Sequence, residues 1–179
     1  MESFLRKELR LYKRHASTGP AKTGDIAFAF SKLLKGGDVV GLLGGLGAGK
    51  THFIKGAARA FGLKPGDIVS PTFNLVKEHK SAGTALYHFD LYRLKNAEEL
   101  DKTGYRDYIS QENAVTFIEW PDRIKETWGY LDWVVEIRHK EKNKRQINIY
   151  KSGVRKPESG VKDKSGVKSL NKARTKKKP

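Results

Sequence analysis

Eight consecutive residues constrain this chain more than any other part of it. Gly44-Gly45-Leu46-Gly47-Ala48-Gly49-Lys50-Thr51 satisfies G-x-x-x-x-G-K-[ST] at every fixed position. Before it stands a short apolar run, Val39-Val40-Gly41-Leu42-Leu43, which reads as a strand buried on both faces of a parallel sheet. After it, Phe53, Ile54, Ala57, Ala58 and Phe61 line one face of a helix that stops at Gly62. Strand, glycine turn and helix in that order make the first unit of an α/β fold. Where side chains are absent, consecutive N–H groups can wrap a phosphate, and a helix starting near Gly49 adds the positive end of its dipole. Lys50 reaches the β- and γ-phosphates of a nucleotide, and the Thr51 hydroxyl is placed to ligate Mg²⁺. A turn whose lysine is merely solvated would not need the flanking strand and helix, so nucleotide binding is expected.

The remaining pattern extends that unit. Over residues 23–34 the apolar side chains Ile26, Phe30, Leu33 and Leu34 recur at helical spacing, with Thr23 as N-cap and Gly36-Gly37 closing the helix. Residues 85–89, 115–119, 133–137 and 147–150 read as strands, and residues 98–101 and 105–110 as short helices. Lys64-Pro65-Gly66-Asp67, Ser81-Ala82-Gly83 and Asn143-Lys144 read as turns. The expected fold is a three-layer P-loop NTPase-like α/β domain with a mainly parallel central sheet flanked by helices. The short polar connection between 133–137 and 147–150 predicts an antiparallel hairpin at the sheet edge.

Charge divides the chain. Of 36 basic and 20 acidic side chains, giving +16, residues 151–179 hold 11 basic and 2 acidic ones and no aromatic residue. Such a stretch cannot bury enough apolar surface to offset its ordering entropy. Residues 151–179 are therefore expected to be a disordered basic tail and 21–150 the folded P-loop domain. Residues 1–20 are expected to be a basic extension, with Phe4, Leu5, Leu9 and Tyr12 on one side of a short helix. The absence of cysteine excludes a disulfide scaffold, a Cys-based zinc or iron–sulfur site and a thiol nucleophile. Five histidines show no ligand spacing, and no apolar run is long enough to span a bilayer, so a cytoplasmic protein without membrane contact is expected.

Hydrolysis needs more than a phosphate loop: a carboxylate at the metal and a group that orients the attacking water. Asp90 closes the run Ala85-Leu86-Tyr87-His88-Phe89, and Glu119 closes Val115-Thr116-Phe117-Ile118. Both acids stand at strand ends, where such groups belong. Spacing does not say which of them meets the ion.

Five motifs in register resemble the TsaE (YjeE-type) family. They are the loop at 44–51; Ser70-Pro71-Thr72-Phe73-Asn74-Leu75-Val76; Tyr87-His88-Phe89-Asp90-Leu91-Tyr92-Arg93-Leu94; Glu98-Glu99-Leu100 with Gly104-Tyr105-Arg106-Asp107-Tyr108; and Ile118-Glu119-Trp120-Pro121. The resemblance implies a bacterial-type P-loop ATPase that supports formation of N6-threonylcarbamoyladenosine at position 37 of tRNAs reading ANN codons. It also implies ATP and Mg²⁺ as cofactors and a TsaB–TsaD heterodimer as partner, with tRNA met indirectly. By the same resemblance Gly44, Gly45, Leu46, Gly47, Ala48, Gly49, Lys50 and Thr51 hold the nucleotide, and Thr72 lies in a switch-like loop that senses the γ-phosphate or the metal. Asp90 takes the place of a Walker-B-like acid, Glu119 that of a second acid near metal or water. Trp120 matches a family tryptophan near the nucleotide or a partner surface, and Arg93 would pair with an acid or a phosphate. Gly45 departs from the family, which commonly has an acidic residue there; phosphate binding survives because the backbone supplies the donors.

Two other readings compete. A small-molecule or nucleoside kinase on the same fold would need an acceptor pocket and usually an arginine-bearing lid, and no lid segment is visible between Leu94 and Trp133. A nucleic-acid module is weakly supported by the charge of residues 1–150, whereas the basic tail suits either contact with RNA phosphates or plain solvation.

Overall fold

The structure, a computed structural model, describes residues 8–71, 74–81 and 84–153. Seven strands form one sheet: β1 (Leu9–Ser17), β2 (Val39–Leu43), β3 (Val76–Ser81), β4 (Thr84–Asp90), β5 (Ala114–Glu119), β6 (Trp133–His139) and β7 (Arg145–Ser152). Their order is β1-β7-β6-β2-β5-β4-β3, with β6, β2, β5 and β4 mutually parallel and β7, β1 and β3 antiparallel to their neighbours. The parallel centre and the antiparallel β6–β7 hairpin are as expected, but the hairpin is not the sheet edge, because β1 pairs outside β7. Strands β2 and β5 are apolar and almost wholly buried because both their faces are covered.

Helices α1 (Pro20–Ser31) and α2 (Lys50–Ala58) cover one face, packing Ile26, Phe30, Phe53, Ile54 and Ala57 against Leu42, Leu86, Phe117 and Val135. The two helices approach so closely that a Cβ on Gly56 would lie 2.5 Å from the Gly24 carbonyl oxygen. On the other face, α3 (Ala97–Asp101), α4 (Tyr105–Ile109) and the turns around residues 121–130 enclose Phe89, Leu91, Leu100, Tyr105 and Ile118. No helix among the described residues is long and apolar enough to cross a membrane.

Two expectations fail, and one strand has no counterpart among the expected elements. The N-terminal stretch is not a helix from Leu9 onward: it is β1, paired with β7 from Leu9–Ser152 to Ser17–Arg145 through a bulge between Leu11 and Lys13. The sheet therefore begins upstream of residue 21 and runs to Ser152, while residues 154–179 lie outside the described chain. Thr23 does not cap α1; Gly19 does, with Pro20 pre-set for the first helical position, and the Thr23 hydroxyl instead shares a buried hydrogen bond of 2.8 Å with Ser17. Strand β3 was not expected, since Val76-Lys77-Glu78-His79-Lys80-Ser81 is a polar edge strand with little apolar signal.

Candidate active site

The loop leaves β2 at Gly44 and enters α2 at Lys50. Gly44, Gly47 and Gly49 hold φ values of 148°, 71° and 107°, which side-chain-bearing residues rarely adopt. A Cβ on Gly44 would also lie 2.5 Å from the Ile137 carbonyl oxygen, so that glycine is needed for space as well. Around Gly45, Gly47 and Gly49 nothing lies within 4 Å of such an atom, so the cradle faces open space. Gly45 thus has room for a side chain. Leu46 is the tip of the loop, 81% exposed, whereas Ala48 is buried in the core beneath it. The β6–β7 hairpin braces the loop from outside: His139 Nε2 donates to Gly47 O at 3.3 Å and Arg145 Nε to Ala48 O at 3.2 Å.

Lys50 is only 5% exposed. Its ammonium donates to Gly44 O at 2.8 Å and Gly45 O at 3.0 Å, and sits 3.5 Å from the centre of the Trp120 ring. Burial pulls its pKa below the ordinary lysine value, with Glu119 and then Asp90 opposing that pull. Trp120 itself adopts φ 59°, ψ 46°, a left-handed conformation uncommon outside glycine. This turns the ring from the end of β5 back over the lysine. Its other neighbours are Tyr92, 5.1 Å between ring centres, and the Arg123 guanidinium.

Asp90 and Glu119 are direct register partners at the ends of adjacent strands β4 and β5. Both are buried, yet they have different partners. Thr51 Oγ1 donates to Glu119 Oε1 at 2.6 Å, and His88 Nε2 donates to the same oxygen at 2.9 Å. Asp90 accepts from Ser70 Oγ at 2.7 Å and from the Tyr92 amide at 3.1 Å. The threonine that follows the loop lysine therefore meets Glu119, because β5 lies next to β2 and β4 lies one strand further out. Thr72 is outside the described residues; Ser70, two positions earlier, ties its segment to Asp90.

His88 is the site residue that sequence reasoning missed. It is fully buried, and its Nδ1 has no partner. Alternation along β4 puts His88 on the same face as Asp90, a signal available in the sequence once the strand is placed. The bracing by His139 and Arg145 had no such signal.

These oxygen donors fit a magnesium ion. A threonine hydroxyl and a carboxylate 2.6 Å apart, beside a phosphate cradle, form the partial oxygen set that Mg²⁺ completes with substrate phosphates and water. Beside the loop, on the face away from α2, lies a cleft of about 690 Å³ lined by Gly44, Gly45, Trp120, Trp128, Glu136 and Tyr150, among others.

Comparisons with known proteins agree with this geometry. A family model described as "Threonylcarbamoyl adenosine biosynthesis protein TsaE" matches residues 17–147. The tRNA threonylcarbamoyladenosine biosynthesis protein TsaE of Rickettsia prowazekii is 34% identical over 137 residues, covering 76% of this chain and 94% of that protein. Its namesake from Aquifex aeolicus is 37% identical over 130 residues, covering 72% and 89% respectively. The crystal structure of Bacillus subtilis YdiB aligns with a TM-score of 0.61 at 28% identity, covering 81% of this chain and 88% of that one.

Proposed function

The chain belongs to the TsaE family, and from that membership we propose that it hydrolyses ATP with Mg²⁺ to sustain the turnover of a TsaB–TsaD complex, which places threonylcarbamoyl on adenosine 37 of tRNAs reading ANN codons. The observation that carries the ATPase reading is the 2.6 Å hydrogen bond between Thr51 and Glu119. It joins the loop that grips phosphates to an acid on the neighbouring strand, as metal-assisted phosphoryl transfer requires.

In this reading the loop amides and Lys50 hold the β- and γ-phosphates. Lys50 already points into the loop, so phosphate oxygens add anionic partners to an ammonium that its carbonyl contacts have positioned. Thr51 and Glu119 would hold a magnesium ion, which when bound would neutralise charge on the transferring phosphoryl group. His88 fixes the Glu119 carboxylate from behind. Asp90 is assigned the neighbouring role: held by the Ser70 hydroxyl and the Tyr92 amide, it would orient the attacking water from the next strand. Trp120 shields Lys50 from solvent and so strengthens its field at the phosphates.

Reconstitution tests the proposal: this chain, TsaB, TsaD, threonylcarbamoyl-adenylate, tRNA and ATP, scored for modified tRNA over many turnovers. Multiple turnovers are expected only with this chain and hydrolysable ATP. Equal turnover with a non-hydrolysable analogue would overturn the coupling. The cleft beside Gly44 and Gly45 favours a second reading, a kinase whose small acceptor occupies it; ADP release that requires an added acceptor would support that reading instead.

A further inference from the structure

The positive charge of this protein is not spread over its ATPase body. Residues 18–132, which carry the loop, both acids and most of the core, hold 15 basic and 14 acidic side chains. Residues 8–17 and 133–153, which form β1, β6, β7 and their connections, hold 9 basic and 3 acidic ones. Residues 154–179 add 10 basic and 2 acidic side chains to the end of β7. Nearly all of the +16 thus belongs to the antiparallel edge and the chain ends.

Local geometry concentrates that charge. Arg10 on β1 is the direct cross-strand partner of Lys151 on β7. Like charges placed opposite each other destabilise a sheet, and no acid among the described residues forms an ion pair with either one. Lys13 follows on the same strand and crowds His15 together with Lys22 of α1; burial, then Lys13 and Lys22, lower the His15 pKa. Tyr12, 51% exposed, stands edge-on against Trp133, and Lys151 lies over that same ring. Lys140, Lys142 and Lys144 are exposed on the β6–β7 turn, where Glu141 pairs only with Lys144. Charges on an edge strand discourage edge-to-edge aggregation, but that role does not require a like pair directly opposite across β1 and β7.

We propose that the β1–β7 edge, through Arg10, Lys13 and Lys151 with Lys22 of the adjoining helix α1 and Tyr12 as a stacking platform, binds the sugar-phosphate backbone of an RNA strand. Arg10 and Lys13 lie about 10 Å apart along an extended strand, with Lys151 opposite Arg10, which suits neighbouring phosphates of a polyanion, and the exposed Tyr12 ring among them offers a face to an unpaired base. The choice of RNA over DNA rests on membership of a tRNA-modifying family; the binding itself is independent of nucleotide hydrolysis.

The test is fluorescence anisotropy of a labelled tRNA transcript with the full chain, without nucleotide, from 50 to 200 mM salt. A DNA single strand of equal length and poly-glutamate serve as the other arms. The full-chain variant R10Q/K13Q/K151Q is compared with K32Q/K95Q/K125Q, which removes equal charge elsewhere, and with K176Q/K177Q/K178Q in the tail. The edge variant is expected to lose tenfold or more in tRNA affinity at 100 mM salt. Its slope of log affinity against log salt should flatten by about two, at roughly 0.7–0.9 per lost phosphate contact. Its unfolding midpoint without RNA should not fall, since a repulsive pair has been removed. The proposal is overturned if the edge and comparison variants bind alike, or if the tail variant alone carries the loss. It is equally overturned if DNA binds as tightly as tRNA, or if poly-glutamate binds in preference to both, which would assign the surface to an acidic protein.

Discussion

Lys50 is held by three kinds of contact at once: loop carbonyls, an aromatic face and the nearby carboxylates of Glu119, Asp90 and Asp122. Burial wins over the carboxylates and lowers its pKa from 10.5. Loss of that proton removes the charge that meets phosphate, so ATP affinity should decline as pH rises and should begin to do so below pH 10.5. Titration of ATP at pH 7 to 10 checks this, with Lys50→Ala expected to bind weakly and without that pH dependence. For the free protein the sign is opposite. Between the lowered folded value and 10.5 the unfolded chain binds more protons, so the Lys50 contribution to stability improves as pH rises through that window. His88 acts through Glu119. His88→Ala should lower ATP hydrolysis by about 10- to 100-fold, the usual cost of removing a group that orients a metal-side ligand, while ATP binding without magnesium changes little. A parallel loss of magnesium-free binding would mean that His88 only holds the core together.

The elements differ in how plainly the chain announces them. Strand β2, the loop and α2 were legible because each local signal agreed with the others: an apolar run, glycines at positive φ, then a helical stripe. Strands β4, β5, β6 and β7 were legible from apolar content alone. The edge strands were not. In β1, eight of nine positions are at least partly exposed, so Leu-Arg-Leu-Tyr-Lys-Arg carries no alternation that separates strand from helix, and the bulge disrupts what remains. The acids were legible as strand ends, but the pairing of Thr51 with Glu119 depends on strand order, which no local pattern encodes. The α1–α2 contact was equally hidden: Gly24 and Gly56 lie 32 positions apart and look like ordinary helix weaknesses. Gly56→Ala should improve helix propensity by about 1 kcal/mol yet destabilise the protein by about 1–3 kcal/mol from overpacking. A midpoint raised in denaturant unfolding would show that the helices can separate freely.

At the scale of the whole molecule, a nearly neutral P-loop body carries a strongly basic edge. The two are mechanically joined, since His139 and Arg145 of the β6–β7 hairpin hold the outer side of the phosphate loop. The end of β7 is part of this frame: Leu9 pairs with Ser152, and the Gly153 amide donates to Glu8 O at 2.8 Å. Truncation after Gly153 should therefore leave ATPase activity and thermal midpoint intact, whereas truncation after Tyr150, which strips Arg10 and Leu9 of their partners, should lower the midpoint by several degrees. The most direct test of the central claim is ADP release in single-turnover experiments on the parent protein, Glu119→Gln and Asp90→Asn, with magnesium and with chelator, alongside ATP affinity. The account predicts magnesium-dependent release by the parent and a loss of about 10²-fold or more in Glu119→Gln. Asp90→Asn should also be impaired, and both variants should bind ATP within a few-fold of the parent. Undiminished release by Glu119→Gln, or release by the parent that ignores magnesium, would contradict it.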